Sequence, residues 1–221
     1  LGGTLTTYWA YVAVEPFSRR FAPGAMTSWV KLVRGRFADP VVARDVLVGA
    51  GMAVIASGLE RLGPILDGVS ALWPNSLSSV DSVAGTLSGV SGSMAAAPLV
   101  FLAFVGLVRL VRNRKVASGV LIAGVAGVFA AAAMGAGIGP YTVWAKVAAG
   151  TMWGVSIARF GLLGLAAFQL TRNVLAMLAI TIDGGAWYAS TGYAGLVLIV
   201  GLVAYGWWDG VARRPATPEP G

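Results

Sequence analysis

The chain has 221 residues, of which 57% are hydrophobic and 11% are charged. An ordinary soluble domain carries roughly 25% charged residues. A water-soluble globule of this size cannot cover its surface with so few charges, so the composition indicates a membrane protein. The sequence contains no Cys and no His, which excludes disulfides, thiolate metal sites, serine–histidine triads and histidine ligation of haem. We therefore expect a protein that is not an enzyme and holds no metal or cofactor.

Apolar runs of about 20 residues, the length that crosses a hydrocarbon core of roughly 30 Å, predict an all-α, polytopic bundle of transmembrane helices. We expect about six spans with the first truncated, because the run at 1–14 is too short to cross alone and is typical of the end of a span that begins before Leu1. The further predicted spans are 46–66, 94–112, 116–139, 141–158, 160–180 and 191–208. The two that flank Arg159 are predicted to be joined there by a very tight turn.

The distribution of Lys and Arg predicts how the chain is oriented. These residues concentrate in the loop 15–45, the turn 109–115 and the C-terminal tail, whereas the segments 67–93 and 181–191 contain none. Loops rich in Lys and Arg are retained in the cytoplasm. We therefore expect the basic segments and the C-terminus to be cytoplasmic, in a multi-pass protein of the bacterial inner membrane, with the Ser/Gly-rich segment 67–93 outside. No soluble basic face is visible, so the net charge of +7 does not indicate nucleic acid binding.

The basic loop 15–45 is the first candidate site. Its bases alternate with apolar and aromatic residues, a pattern that suits a stretch lying on an anionic leaflet. The candidate residues for docking a partner domain or anionic lipid headgroups are Arg19, Arg20, Arg34, Arg36 and Arg44. The alternative is a plain retention signal with internal Arg–carboxylate pairs. Asp45, just before the predicted span, is expected to cap its start, where the helix dipole favours negative charge.

The second candidate is an intramembrane polar site formed by Gln169, Arg172 and Asn173 in the span 160–180. A charge at mid-depth costs about 3 kcal/mol or more, so such a residue usually faces a bundle interior or water. The functional interpretation is an ion or substrate pathway, or a counter-charge for another subunit. We favour a structural polar clamp between helices, or a shorter span that places Arg172 nearer an interface, because no intramembrane carboxylate is apparent to complete a relay. Lys146 is expected to extend outward toward the interface.

Small residues at four-residue spacing indicate tight helix packing. Gly135 and Gly139, Gly150 and Gly154, and Gly206 and Gly210 form three such pairs. Small residues let helix backbones approach closely, and packing is what holds helices together in lipid. With 31 Gly in the chain, the pattern supports a compact bundle without specifying a dimer.

Two blocks of the sequence, the first at 11–49 and the second at 158–173 and 181–210, resemble the C-terminal membrane region of a group of bacterial serine/threonine protein kinases. The matching features are Glu15-Pro16, Arg19-Arg20, Ser28-Trp29, Gly35-Arg36, Asp39-Pro40, Arg44-Asp45, Arg159-Phe160-Gly161, Asp183 and Trp187-Tyr188-Ala189. The middle of the chain matches in hydropathy alone. The kinase domain itself is absent: with no His an H-R-D catalytic loop is impossible, and no D-F-G occurs. The resemblance implies a membrane module but carries over no catalytic or ligand residue.

These observations favour a non-catalytic membrane scaffold or anchor that packs against other integral membrane proteins and contacts anionic lipids. One form of this hypothesis is an accessory subunit of a large membrane complex, such as a photosynthetic reaction-centre and light-harvesting assembly. Without His, such a subunit would contact lipid or pigment through apolar surfaces. The alternatives are the membrane sensor half of a receptor serine/threonine kinase, with a kinase domain preceding Leu1, or a small-solute transporter. Transport would predict internal repeats, and the sequence shows none.

Overall fold

The structure, a computed structural model, describes residues 23–68, 97–98, 100–177 and 189–209, and within these ranges it is all-α with no β-strand. The predicted fold class is therefore confirmed. A short 3-10 helix at Pro23–Ala25 precedes six α-helices. They are α1 (Thr27–Val33), α2 (Pro40–Leu66), α3 (Val100–Val111), α4 (Arg114–Gly135), α5 (Pro140–Met177) and α6 (Ala189–Trp207).

Three of the described helices are long and apolar enough to cross a membrane: α2, α4 and the stretch Pro140–Ala176 of α5. These helices indicate a membrane protein. The helix Val100–Val111 and the apolar part of α6, Gly195–Trp207, are shorter. The expected number of six spans therefore stays a prediction. The predicted partial span 1–14, nearly all of the outer segment 67–93, and Arg19 and Arg20 lie outside the described residues.

Helix α2 begins six residues before the predicted span, so the expected loop 15–45 is partly helical and Asp45 does not cap the helix. Asp39 is the N-cap instead: its Oδ1 accepts a hydrogen bond from the Val41 N–H at 3.0 Å, and Pro40 follows at the first helical position. An Asp cap followed by Pro is a favoured helix start, since Pro has the required φ and lacks an N–H that would go unbonded. Asp45 lies in the second turn, where it is buried beside Arg44.

Helix α5 folds back on itself at Gly161, which has φ +67° and ψ −151°. The proof is that Glu60 binds both Lys146 and Arg172, which would lie about 39 Å apart on one straight helix. We call the two arms α5a (residues 140–160) and α5b (residues 162–177). Gly161 also touches the backbone of Ala25 so closely that a Cβ would overlap the Ala25 carbonyl oxygen. The fold-back thus lies two residues after Arg159, at the residue whose conformation and space admit only Gly.

Helix α2 lies in the middle of the bundle, and glycines bring its neighbours close. A Cβ on Gly49 would meet the Gly164 backbone of α5b, and one on Gly63 would lie 2.8 Å from Thr142 Cα of α5a. On its other side a Cβ on Gly206 of α6 would lie 2.6 Å from the Leu47 Cβ. Around these contacts the largest fully buried side chains form the core: Phe101, Phe104, Ile157, Leu162, Leu165 and Phe168.

The predicted Gly150 and Gly154 pair serves the contact between α5a and α4. A Cβ on Gly150 would lie 3.1 Å from Ala126 Cα, and one on Gly154 would lie 2.9 Å from Ile122 Cα. These two glycines therefore allow α4 to pack against the hairpin within a single chain. Gly139 has a different role, because the Asp67 carboxylate occupies the space where its Cβ would stand.

Candidate functional site: an ion cluster between three helical segments

One carboxylate and two cations meet where α2 approaches both arms of α5. Glu60 Oε1 lies 2.8 Å from Lys146 Nζ on α5a and 2.9 Å from Arg172 Nη2 on α5b. The Arg172 Nε–H also donates to Glu60 Oε2 at 3.2 Å, so the guanidinium binds the carboxylate through two parallel hydrogen bonds. This fork geometry is the strongest form of Arg–carboxylate pairing. We refer to Glu60, Lys146 and Arg172 as the ion cluster.

The expectation that Arg172 has no carboxylate partner is wrong, because α2 supplies Glu60. Arg172 also lies 5.7 Å from the ring centroid of Phe129 on α4, within cation–π range. Its contacts therefore connect α2, α4 and α5b. Gln169 and Asn173, the other residues of the predicted polar site, lie half-buried on the same arm. Neither of them enters the salt bridges of the ion cluster.

Lys146 is bonded inward to Glu60, whereas the sequence predicted that it extends outward. Its side chain is 33% exposed, against 24% for Arg172 and 13% for Glu60. The carboxylate is thus enclosed while the ammonium stays within reach of the surroundings. Pairing offsets the cost of holding charges near hydrocarbon, which is several kcal/mol for an unpaired ion.

The pairing of Glu60 with Lys146 could have been predicted from their equal distances to the facing helix ends. Glu60 lies six residues before the end of α2 at Leu66, and Lys146 lies six residues after the start of α5 at Pro140. In two adjacent antiparallel helices, equal distances from neighbouring ends mean equal depth. The signal was hidden because the outer segment, α3 and α4 all lie between these two helices and separate their facing ends by more than seventy residues of sequence.

Asp67 closes the same end of the bundle. Its Oδ1 accepts from the Tyr141 N–H at 3.1 Å, and its Oδ2 accepts from the Thr142 N–H at 2.8 Å and the Thr142 hydroxyl at 2.6 Å. Asp67 thereby caps a helix that begins far away in sequence. Desolvation opposes ionisation here, but the bonds from Thr142 and Tyr141 outweigh it and hold the pKa of the Asp67 carboxyl below its ordinary value.

The predicted docking residues that the structure describes lie at the opposite end of α2, a helix about 40 Å long. Arg34, Arg36 and Arg44 are all exposed. Arg44 donates to the buried Asp45 at 3.0 and 3.2 Å, so this base has an internal partner, as the retention alternative supposed. Arg34 and Arg36 flank Gly35, whose φ is +77° in the turn after α1.

A further pair fixes this turn against α2. Lys31 Nζ lies 2.8 Å from Asp39 Oδ2. The hydrogen bond from Lys31, together with those from the α2 backbone, outweighs desolvation and lowers the pKa of the Asp39 carboxyl. A capping carboxylate that stays ionised stabilises the helix start.

Tertiary folding gathers several basic segments at this end. The Arg114 guanidinium lies 3.9 Å from the position of a Cβ on Gly24, and Gly24 adjoins Ala25, which contacts the fold-back at Gly161. Arg112 and Lys115, next to Arg114, are exposed, as is Arg159 near the fold-back. The segment after Pro23, the turn between α3 and α4, and the α5 fold-back therefore share one basic end. The ion cluster occupies the other end.

No family model matches the chain, and neither a curated protein nor a solved structure is significantly similar to it, so nothing in these comparisons identifies a kinase-associated membrane module.

Proposed function

We propose that this protein is a non-catalytic membrane scaffold that packs against other integral membrane proteins, with α4 as its contact helix. The observation that carries the proposal is the exposure of α4. In the most apolar stretch of each candidate span, 50% of the residues are buried in α2 and 67% in α5, but only 11% in α4. Helix α4 therefore touches the bundle along one narrow side.

The free side of α4 is built for close helix contact. Among the described residues, no neighbouring atom lies within 4 Å of where a Cβ would stand on Gly119, Gly124, Gly127 or Gly135. At Gly150 and Gly154 of α5a, in contrast, residues of α4 occupy the space where a Cβ would stand. Helices associate in lipid by packing at small residues, where backbones approach closely. The exposed glycines of α4 therefore allow a second helix to approach closely, just as Gly150 and Gly154 allow α4 to approach α5a.

The proposal is tested by placing large side chains on the exposed face of α4 and measuring whether membrane partners are lost. We expect stoichiometric membrane proteins to co-purify with the native protein in mild detergent, and to be lost from the Gly124→Leu and Gly127→Leu variants. Gly58→Leu is the matched control, since Gly58 is exposed on α2 and also has nothing within 4 Å. Leu is a better helix former than Gly, so none of these changes weakens its helix. Equal recovery of partners with all three variants would refute the proposed role of α4.

Intact mass spectrometry of the same native preparation separates the scaffold from a receptor kinase. We expect no kinase peptides in the covalent polypeptide that contains this chain, and separate partner polypeptides in stoichiometric amounts beside it. Kinase peptides in one covalent polypeptide with this chain would instead make it the membrane half of a signalling receptor, in line with the sequence resemblance.

We further propose that the basic end faces the cytoplasm, because cytoplasmic ends of membrane proteins carry the excess of Lys and Arg. The chain has no Cys, so single cysteines report topology directly. We expect a membrane-impermeant maleimide to label Ile138→Cys, near the ion-cluster end, in intact cells. Ala38→Cys, at the basic end, should be labelled after the membrane is opened. The reverse pattern would overturn this orientation.

A further inference from the structure

The ion cluster carries more positive charge than its carboxylate can balance. Among the described residues, Glu60 is the one acidic group salt-bridged to Lys146 and Arg172, which leaves the three side chains with a net charge of about +1 when all are ionised. The next carboxylate along the chain, Asp67, is bonded to the first turn of α5. A net charge near hydrocarbon is costly unless an anion compensates it.

The cluster lies within side-chain reach of the lipid headgroups when α2 spans the bilayer. Glu60 is about 10 Å from the middle of α2 along the helix axis, and the half-thickness of the hydrocarbon core is about 15 Å. If α2 is centred in the bilayer, its carboxylate lies about 5 Å below the hydrocarbon surface. Side chains as long as those of Lys and Arg reach the phosphates from there.

Aromatic residues beside Lys146 indicate the same interface. Trp144 is 71% exposed and Tyr141 is 55% exposed, and both precede Lys146 on α5a. Exposed Trp and Tyr concentrate at membrane–water interfaces, where an apolar ring and a polar edge both find suitable surroundings.

We propose that the ion cluster binds the phosphodiester headgroup of an anionic membrane lipid in the leaflet next to the C-terminal end of α2. Lys and Arg side chains bind phosphate oxygens through charge-assisted hydrogen bonds. Lys146, the most exposed member, makes the first contact with the phosphate while Glu60 keeps Arg172 in place. This proposal concerns the end of the bundle opposite the basic docking residues, and it does not depend on the proposed scaffold function.

Quenching of Trp144 fluorescence tests the proposal locally. The full chain is placed in nanodiscs of phosphatidylcholine that contain bromine-labelled phosphatidylglycerol or bromine-labelled phosphatidylcholine at the same mole fraction. Subtracting the signal of the Trp144→Phe protein isolates the contribution of Trp144. One basic residue at the membrane surface strengthens binding of anionic lipid about fivefold. We therefore expect phosphatidylglycerol to be favoured about fivefold beside Trp144.

Charge changes should move this preference in both directions. Lys146→Gln balances the cluster and should bring the preference to about one, whereas Glu60→Gln leaves two cations and should raise it to about 25-fold. Arg159→Gln is the matched control, since Arg159 is an exposed base at the far end of α5a, and it should leave the preference unchanged. If Glu60→Gln does not fold, Lys146→Gln carries the test alone.

Three outcomes would overturn the proposal. The first is equal quenching by the two labelled lipids in the unmodified protein. The second is a phosphatidylglycerol preference that survives Lys146→Gln. The third is loss of the preference in millimolar inorganic phosphate, which would show that the site takes the free anion and not a lipid headgroup.

Discussion

Removing the carboxylate of the ion cluster should destabilise the protein more than removing either of its cations. Glu60→Gln leaves Lys146 and Arg172 close together with no counter-charge, whereas Arg172→Gln leaves the Glu60–Lys146 pair at 2.8 Å intact. Breaking a fully buried pair costs about 3–5 kcal/mol. The side chains here are 13–33% exposed, so we expect about 2–3 kcal/mol for Glu60→Gln, after allowing for solvent screening.

Arg172→Gln should cost about 1–2 kcal/mol, since it removes two charge-assisted hydrogen bonds and the contact with Phe129. The assay is reversible unfolding in zwitterionic micelles without anionic lipid, followed by near-ultraviolet circular dichroism. The double variant Glu60→Gln/Arg172→Gln should cost less than the sum of the single changes, with a coupling of about 1 kcal/mol or more. Arg159→Gln, exposed and outside the cluster, should change stability by less than about 0.5 kcal/mol.

Two results would contradict this account of the ion cluster. One is a loss for Arg172→Gln as large as that for Glu60→Gln, which would mean that packing of the long Arg side chain matters more than charge balance. The other is strict additivity in the double variant, which would mean that the two side chains stabilise the bundle independently.

Three further predictions concern the ends and the interior of the helices. Because hydrogen bonds lower the pKa of Asp67, its stabilisation should be present at neutral pH and be lost as the pH falls through that lowered value, so Asp67→Asn should reduce Tm at pH 7 more than at pH 3. Gly161→Ala should cost more than about 2 kcal/mol in unfolding free energy, whereas Gly137→Ala, at φ +66° in open space, should cost about 1 kcal/mol; equal losses would show that the contact with the 3-10 helix is unimportant. Thr171→Val should leave Tm unchanged or raise it, since the buried Thr171 hydroxyl has no hydrogen-bond partner in the part of the chain that the structure describes.

The all-α class and the membrane character could be predicted from the sequence, because both depend on local quantities. The free energy of placing a segment in hydrocarbon is close to a sum over its residues, so runs such as 116–139 are visible without a fold. Helix ends are also local where a side chain caps its own helix. Asn113 accepts hydrogen bonds from the Lys115 and Val116 N–H groups and begins α4, close to the predicted start of that span.

Local signals were less accurate where tertiary contacts set the boundary. The sequence placed the turn at Arg159, because a charge between two apolar runs suggests a loop. The chain turns at Gly161 instead, since the contact with Ala25 and the positive φ both require a residue without a Cβ. The start of α2 was misplaced for a related reason: hydropathy marks where the apolar run begins, whereas the Asp39 cap marks where the helix begins.

The pairing of distant charges and the exposure of individual glycines depend on the tertiary fold and could not be read from the sequence. Glu60 and Arg172 are 112 residues apart in sequence, and their pairing depends on the fold-back of α5 against α2. The sequence does not distinguish the glycines of α4 from those of α5a. In the structure Ile122 occupies the space where a Cβ on Gly154 would stand, whereas Gly127 faces away from the bundle. Composition determines whether a segment prefers lipid to water, but a contact between distant residues exists only once the backbone between them has taken its path, and that path is a property of the whole chain.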